Sequence, residues 1–171
     1  MSHDEILRPD AYAPEVGVLL SMMEDCRART LREVERIDPS MIDAPTPWSG
    51  NTIGSLLYHI GAIELDWLYS DIMQRDFPEE AWAWFPHDVR EEDGRLTPAI
   101  GETVDRHLER LAWVRARTRG ELRTLSTADL MAIRSEGDDA SMTIEWILHH
   151  LLQHEAEHRG QLAEIRTALA S

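Results

Sequence analysis

Apolar side chains recur every three or four positions over four long stretches of the chain, which is the pattern of amphipathic helices. This pattern predicts helices over about residues 14–37, 52–74, 97–120 and 141–169. Segments rich in Pro, Gly and Asp separate the four stretches. No segment alternates apolar and polar side chains between hairpin turns, so the sequence predicts no β-strands.

The predicted helices have similar lengths, which favours side-by-side packing in an all-α four-helix bundle. The connection between the second and third helices, residues 75–96, is longer than the usual loop of about 2–8 residues. It carries Trp82, Trp84 and Phe85. These rings could cover a ligand site as a lid, anchor a partner chain, or clamp the loop to the core. A chain of 171 residues is expected to form a single domain over residues 1–171.

The charge of the chain argues against two classes of partner. A formal net charge of −15 would repel nucleic acid and anionic membrane surfaces. No apolar run approaches the roughly 20 residues that cross a bilayer, and the acidic first residues do not resemble a signal peptide. A cytoplasmic protein is therefore expected. Cys26 is the lone cysteine, so a metal site would need nitrogen and oxygen ligands.

Histidines cluster in the segment HHLLQHEAEHRGQL, where His150, His154 and His158 lie four residues apart. On a helix they share one face, and apolar side chains occupy that face at either end of the helix. His59 borders the apolar face of the second helix. Imidazoles at i and i+4 can converge on one ion, so the pattern predicts a divalent metal ion bound by His59, His154 and His158. Hydrogen-bonded core histidines are the alternative.

Three further residues are weaker candidates for a catalytic or supporting role. Asp66 lies nearly two turns after His59. It could serve as a base or as a hydrogen-bonding partner, or it could be a surface carboxylate. Glu157 flanks the histidine face and could hydrogen-bond to a ligating imidazole. His150 lies one turn from His154. If Asp66, His150 or the loop residue His87 completed a closed shell of four ligands, the metal would be structural.

Two segments, TPWSGNTIGSLLYHIGAIELDWL and TIEWILHHLLQHEAEHRGQLAEIR, resemble the DinB/YfiT-like superfamily of bacterial metal-binding four-helix proteins. Together with the number and length of the helices, the resemblance extends over nearly the whole chain. It implies a DinB-type four-helix bundle with a metal triad at His59, His154 and His158. It also implies zinc or nickel, with water completing the shell, and a homodimer.

Three imidazoles leave one position of a tetrahedral ion open to water or to a substrate. The metal could then serve a hydrolase, or it could activate a thiol for attack on an electrophile. The resemblance favours an S-transferase that acts on a small molecule with a thiol of the bacillithiol or mycothiol type. A non-catalytic protein with a structural or sensory metal is the third possibility.

Overall fold

The computed structural model describes residues 9–46, 48, 50–136 and 140–170. Most of these residues are helical, which agrees with the predicted all-α class. The elements of the described chain, in order, are α1 (Pro14–Val34), α2 (Ile53–Asp66), a π-helical segment (Trp67–Ile72), α3 (Ala81–Trp84), α4 (Val104–Leu122), β1 (Ile133–Glu136), β2 (Ala140–Thr143) and α5 (Ile144–Leu169). Single 3₁₀ turns lie at Pro39–Met41 and Asp129–Met131. None of the described helices is both long and apolar enough to cross a bilayer.

The second predicted helix is divided into two parts. Its first part, α2, begins with a capping box in which the Thr52 side chain accepts from the backbone N–H of Ser55 and the Ser55 hydroxyl accepts from that of Thr52. Beyond Asp66 the backbone becomes π-helical, and the N–H of Met73 donates to the carbonyl of Leu68 at 2.9 Å. This change of period turns the following side chains relative to those of α2.

The third long helix begins later than the sequence predicts. Thr97 resembles an N-cap, but its hydroxyl donates to the backbone carbonyl of Asp88 at 2.6 Å. Gly101 then adopts a φ of 81°, which a helix cannot include. The actual cap is Thr103, whose hydroxyl accepts from the backbone N–H of Arg106 at 3.1 Å. The prediction of a helix from residue 97 was therefore wrong by about two turns.

The prediction of no strands was also wrong, because β1 and β2 form an antiparallel hairpin in which Ile133 pairs with Thr143. The hairpin lies directly before the last helix. Its second strand occupies the residues that the sequence predicts as the first turn of that helix. Helix α5 begins at Ile144, where Thr143 caps it by accepting from the backbone N–H of Trp146 at 3.2 Å. The two strands have four residues each, too few to show a clear period of two.

Helix α2 is the central element, since it packs against both α4 and α5, while α1 packs against α5. Nearly every residue of α2 is buried. The long connection lies on the side of α4. Phe85 is buried at 5% exposure, and Trp84 stacks on Trp113 of α4 with ring centroids 6.0 Å apart. Trp82 is 63% exposed. Two of the three aromatic residues thus clamp the connection to the helices.

One ionic cluster lies inside the helical core, and each of the four long helices contributes one residue. Arg27 of α1 and Arg115 of α4 each bond to both Glu64 of α2 and Glu155 of α5, at 2.7–3.2 Å. All four side chains are at most 6% exposed. Burial raises the pKa of Glu64, but the guanidinium groups of Arg115 and Arg27 outweigh it and hold that pKa at about 2. Glu64 is therefore ionised, and the cluster pairs two arginines with two glutamates, while Glu24 at its edge lies 3.6 Å from Arg115.

Candidate metal centre

Three imidazoles meet in the groove between α2 and α5. The Nε2 atom of His154 lies 3.1 Å from Nε2 of His59 and 3.0 Å from Nε2 of His158. One nitrogen atom from each of the three rings lies within 4.8 Å of a nitrogen atom of each of the other two rings. His59 is 1% exposed, whereas the two histidines of α5 are half-buried. The site thus has a closed floor on α2 and an accessible side on α5.

The spacing of the nitrogens fits a metal ion. In a tetrahedral site with bonds of about 2.0–2.1 Å, the ligand nitrogens lie about 3.3–3.4 Å apart. The two contacts of His154 are a few tenths of an ångström shorter than that. A shift of this size needs only small rotations of the side chains, so the three residues fit the ion.

The number of N–H protons on the three imidazole rings also favours a cation that the rings share. Nδ1 of His158 lies 2.9 Å from Oε1 of Gln161, and since a carbonyl oxygen only accepts, that nitrogen carries the proton of the neutral ring. Nε2 of His158 then presents a lone pair to His154. A neutral His154 has one N–H, which cannot serve its contacts with both His59 and His158. A cation at the centre would satisfy all three lone pairs.

The second ring nitrogens of His59 and His158 differ in their surroundings. Nδ1 of His59 is buried and has no hydrogen-bond partner among the described residues, although the backbone of Val89 acts to raise the pKa of this ring. Ligating histidines typically direct their second ring nitrogen at a carbonyl or a carboxylate, which holds the tautomer and the ring orientation. Gln161 supplies such an acceptor to His158.

All three imidazoles are held neutral. Burial, with repulsion from His158 as the next cause, lowers the pKa of His59 to about 4 and that of His154 to about 3. Burial also lowers the pKa of His158, although the hydrogen bond with Gln161 opposes this effect. The positive charge of Arg90 lowers the pKa of each of the three rings. Because only a neutral imidazole binds a metal ion, the site is prepared to bind without losing protons.

Metal uptake at pH 6 is therefore expected to release fewer than one proton per site. Three histidines with the ordinary pKa of about 6.5 would together release about two protons at this pH. Isothermal titration calorimetry with zinc, repeated in two buffers of different ionisation enthalpy, measures the number. Release of about two protons would show that the folded protein does not hold its imidazoles neutral.

The other sequence candidates lie outside the group of three. Asp66 is half-buried and accepts from the Ser70 hydroxyl at 2.9 Å. Glu157 is exposed, and its charge favours the protonated form of His158. His87 is exposed, and its backbone, rather than its ring, bonds to the Tyr58 hydroxyl. Whether any of these residues takes part in catalysis stays a prediction.

His150 belongs to an aromatic cluster at one end of the triad. Its ring lies nearly parallel to Trp67 at 4.6 Å and to Trp146 at 5.0 Å between centroids. The same ring lies 6.3 Å from that of His154. Trp67 is the first residue of the π-helical segment, and Trp146 is 45% exposed. The triad therefore borders a stack of aromatic rings that is partly open to solvent.

Two residues of the site were missed as functional candidates. Gln161 carried a signal in the sequence, because it lies three residues after His158 and so on the same face of the helix. Arg90 carried none, because it lies in the long connection and its charge acts on the three rings only in the folded chain. Cys26 is buried in α1, and burial raises the pKa of its thiol, as expected for a core residue.

Comparison with known families supports the resemblance noted from the two histidine-bearing segments. Residues 22–162 match the model of the DinB superfamily. This range includes all three clustered histidines and extends from α1 into α5. No curated protein matches the chain.

Proposed function

We propose, for a chain that belongs to the DinB superfamily, that His59, His154 and His158 bind a divalent metal ion and that this centre is catalytic. The reaction that we propose is transfer of a small thiol to an electrophilic small molecule. The observation that carries the proposal is the convergence of three imidazole nitrogens between α2 and α5, where His59 is buried and His154 and His158 are half-buried. Zinc or nickel suits such nitrogen ligands, and the resemblance to the superfamily favours these two metals.

The number of ligands supports a catalytic role over a structural one. Across residues 9–46, 48, 50–136 and 140–170, no fourth His, Cys, Asp or Glu joins the group of three. Structural zinc sites nearly always have four protein ligands, whereas catalytic sites have three and keep a position for water or substrate. A divalent ion held by three neutral imidazoles would keep its full charge, so it would supply a Lewis acid that lowers the pKa of a thiol or water.

The residues around the triad would hold the ligands and limit access of water. Gln161 keeps the proton of His158 on Nδ1, which leaves Nε2 available. The rings of His150, Trp67 and Trp146 would offer an apolar surface to the substrate beside the triad.

The wider arrangement is proposed on the same basis. We propose that α1, α2, α4 and α5 form the four-helix bundle of the superfamily and that residues 1–171 act as one domain. A homodimer stays a prediction of the resemblance. A metal-dependent hydrolase is the alternative activity, because a coordinated water would be activated in the same way as a thiol.

An activity assay can separate these functions. We expect the zinc-loaded or nickel-loaded protein to conjugate a low-molecular-weight thiol to 1-chloro-2,4-dinitrobenzene, with the rate falling at least about tenfold after removal of the metal by a chelator. Absorbance of the thioether measures the rate, and the reloaded protein is the control. Hydrolysis of p-nitrophenyl acetate without any thiol would instead support the hydrolase. Absence of both reactions in the loaded protein would contradict a catalytic role with these substrate classes.

A further inference from the structure

We infer that one water molecule binds in a buried polar space between the loop that follows α1, the start of α2 and the start of α4, and that it stabilises the fold there. Its hydrogen-bond partners are Asp43, Glu102 and His107. None of these residues belongs to the histidine triad, so the inference is independent of the proposed metal centre.

Three side-chain atoms at this place are buried and have no hydrogen-bond partner among the described residues. They are Oδ1 of Asp43, Oε2 of Glu102 and Nε2 of His107. The whole of His107 is buried, with 0% exposure. Buried polar groups in folded proteins are nearly always hydrogen-bonded, either to the protein or to a bound water. Three neighbouring exceptions therefore indicate a partner that they share.

Gly54, in the first turn of α2, leaves open the space that these atoms face. A methyl group at this position would lie 3.3 Å from Oδ1 of Asp43 and 3.3 Å from Nε2 of His107. The same Nε2 atom lies 3.7 Å from Oε2 of Glu102. That distance is too long for a direct hydrogen bond, but it allows both atoms to bind one water molecule.

Arg110 determines which nitrogen of His107 carries the proton. Nη1 of Arg110 lies 2.9 Å from Nδ1 of His107, and because a guanidinium group only donates, Nδ1 accepts. Burial, followed by the positive charge of Arg110, lowers the pKa of His107 to about 4. The ring is therefore neutral at neutral pH, and its one proton is on Nε2. This nitrogen is a donor without an acceptor in the described chain.

The two carboxylates supply acceptors. Oδ2 of Asp43 accepts from the backbone N–H of Gly101 at 2.8 Å, and Oε1 of Glu102 accepts from Nη2 of Arg110 at 2.6 Å. The second oxygen of each carboxylate is the one that faces the shared space. Both are acceptors, because a carboxylate oxygen has lone pairs and no proton.

One donor and two acceptors match a water molecule, which can accept from His107 and donate to both carboxylates. Three hydrogen bonds is also the usual number for a buried water. A metal ion does not fit these atoms, because Nε2 of His107 carries a proton and offers no lone pair. An ammonium ion does not fit either, because it cannot accept from that N–H group.

The water would join segments that are distant along the chain. Asp43 lies in the loop between α1 and α2, whereas Glu102 and His107 lie just before and just inside α4. Arg110 extends the network to the long connection, since its Nε atom donates to the carbonyl of Trp84 at 2.6 Å. The water would therefore hold the loop before α2 against the beginning of α4.

Nuclear magnetic resonance of the protein labelled with ¹⁵N-histidine tests this site in solution. We expect the Nε2–H proton of His107 to give a cross-peak with water of the sign that marks a long-lived bound molecule. A crystal structure that resolves bound waters should place one within about 3.2 Å of all three atoms. A proton on Nδ1 of His107, or a direct bond between Glu102 and His107 with no water at the site, would overturn the inference. So would an ion at a coordination distance of about 2.0–2.2 Å.

Gly54→Ala tests the stabilising role, because its methyl group would take the space of the water. We expect the cross-peak to disappear and the unfolding equilibrium constant, measured by urea denaturation, to rise at least about tenfold as the three atoms lose their partner. Gly160→Ala is the matched control on α5, where the added methyl group meets nothing within 4 Å. It should keep the cross-peak and lower the unfolding equilibrium constant, because alanine favours a helix more than glycine does.

Two results with Gly54→Ala would contradict the inference. A cross-peak that persists would mean that the water lies elsewhere. Loss of the cross-peak with wild-type stability would mean that the water does not support the fold. If Gly54→Ala does not fold, the cross-peak and the crystal structure of the wild-type protein decide the matter.

Discussion

His154→Ala is expected to reduce the affinity for zinc or nickel by more than about 100-fold, which exceeds the usual effect of changes outside the ligand shell. His154 is the middle ligand, because its Nε2 atom lies within 3.1 Å of the corresponding atoms of both His59 and His158. Without it, the two remaining rings provide only two ligands from two different helices. The metal content after dialysis against a competing chelator measures the effect.

His149→Ala is the matched control for this substitution. His149 is the same residue type on the same helix, but it is exposed and lies outside the triad. It should retain the metal content of the wild-type protein. Far-ultraviolet circular dichroism of both variants should match the wild type, because α5 continues for more than two turns on either side of residue 154. A His154→Ala variant that is folded and keeps its metal would contradict the proposed centre.

Glu155→Gln should lower the free energy of unfolding by about 3–5 kcal/mol, because it breaks a buried ion pair by removing one of the partners. Glu155 accepts from Arg27 at 2.7 Å and from Arg115 at 3.2 Å inside the helical core. The substitution leaves Arg27 and Arg115 to share Glu64, with Glu24 3.6 Å from Arg115 as the only other carboxylate contact among the described residues. A buried positive charge without compensation is far more costly than the loss of one ion pair at the surface. Urea denaturation, followed by circular dichroism, measures the change.

Glu164→Gln gives the comparison on the same helix. Glu164 is exposed, so this variant should stay within about 0.5 kcal/mol of the wild type. The two glutamates differ in burial and not in residue type, so the contrast isolates the contribution of the ionic cluster. Equal stability of the two variants would mean that the cluster is not ionised in the folded protein.

The positions of the long helices could be predicted because they depend on local patterns. Apolar periodicity identified α1, α2, α4 and α5, although the bounds were shifted. The largest shift is instructive. Thr97 and Thr103 are both good caps, and the outcome depends on the Asp88 carbonyl, which takes the hydroxyl of Thr97. A contact between residues nine positions apart therefore decided where α4 begins.

The pair His154 and His158 could be predicted because a helix places residues i and i+4 side by side in any fold. His59 followed from its place at the edge of an apolar face. The buried ionic cluster could not be found in this way. The chain has 32 acidic and 17 basic residues, and nothing local distinguishes Glu64 and Glu155 from glutamates exposed to solvent. Their pairing with Arg27 and Arg115 requires the relative rotation and register of four helices.

The sequence by itself determined the helical class, the net negative charge and the two segments that bear the clustered histidines. Each of these properties depends on residue types and on spacings of a few positions, which act before any long-range contact forms. Only the tertiary structure decided that His59 meets the histidines of α5, and that Arg27 and Arg115 pair with Glu64 and Glu155 inside the core. Those arrangements join residues that are distant along the chain, and the packing of the whole chain decides which of the many possible contacts form.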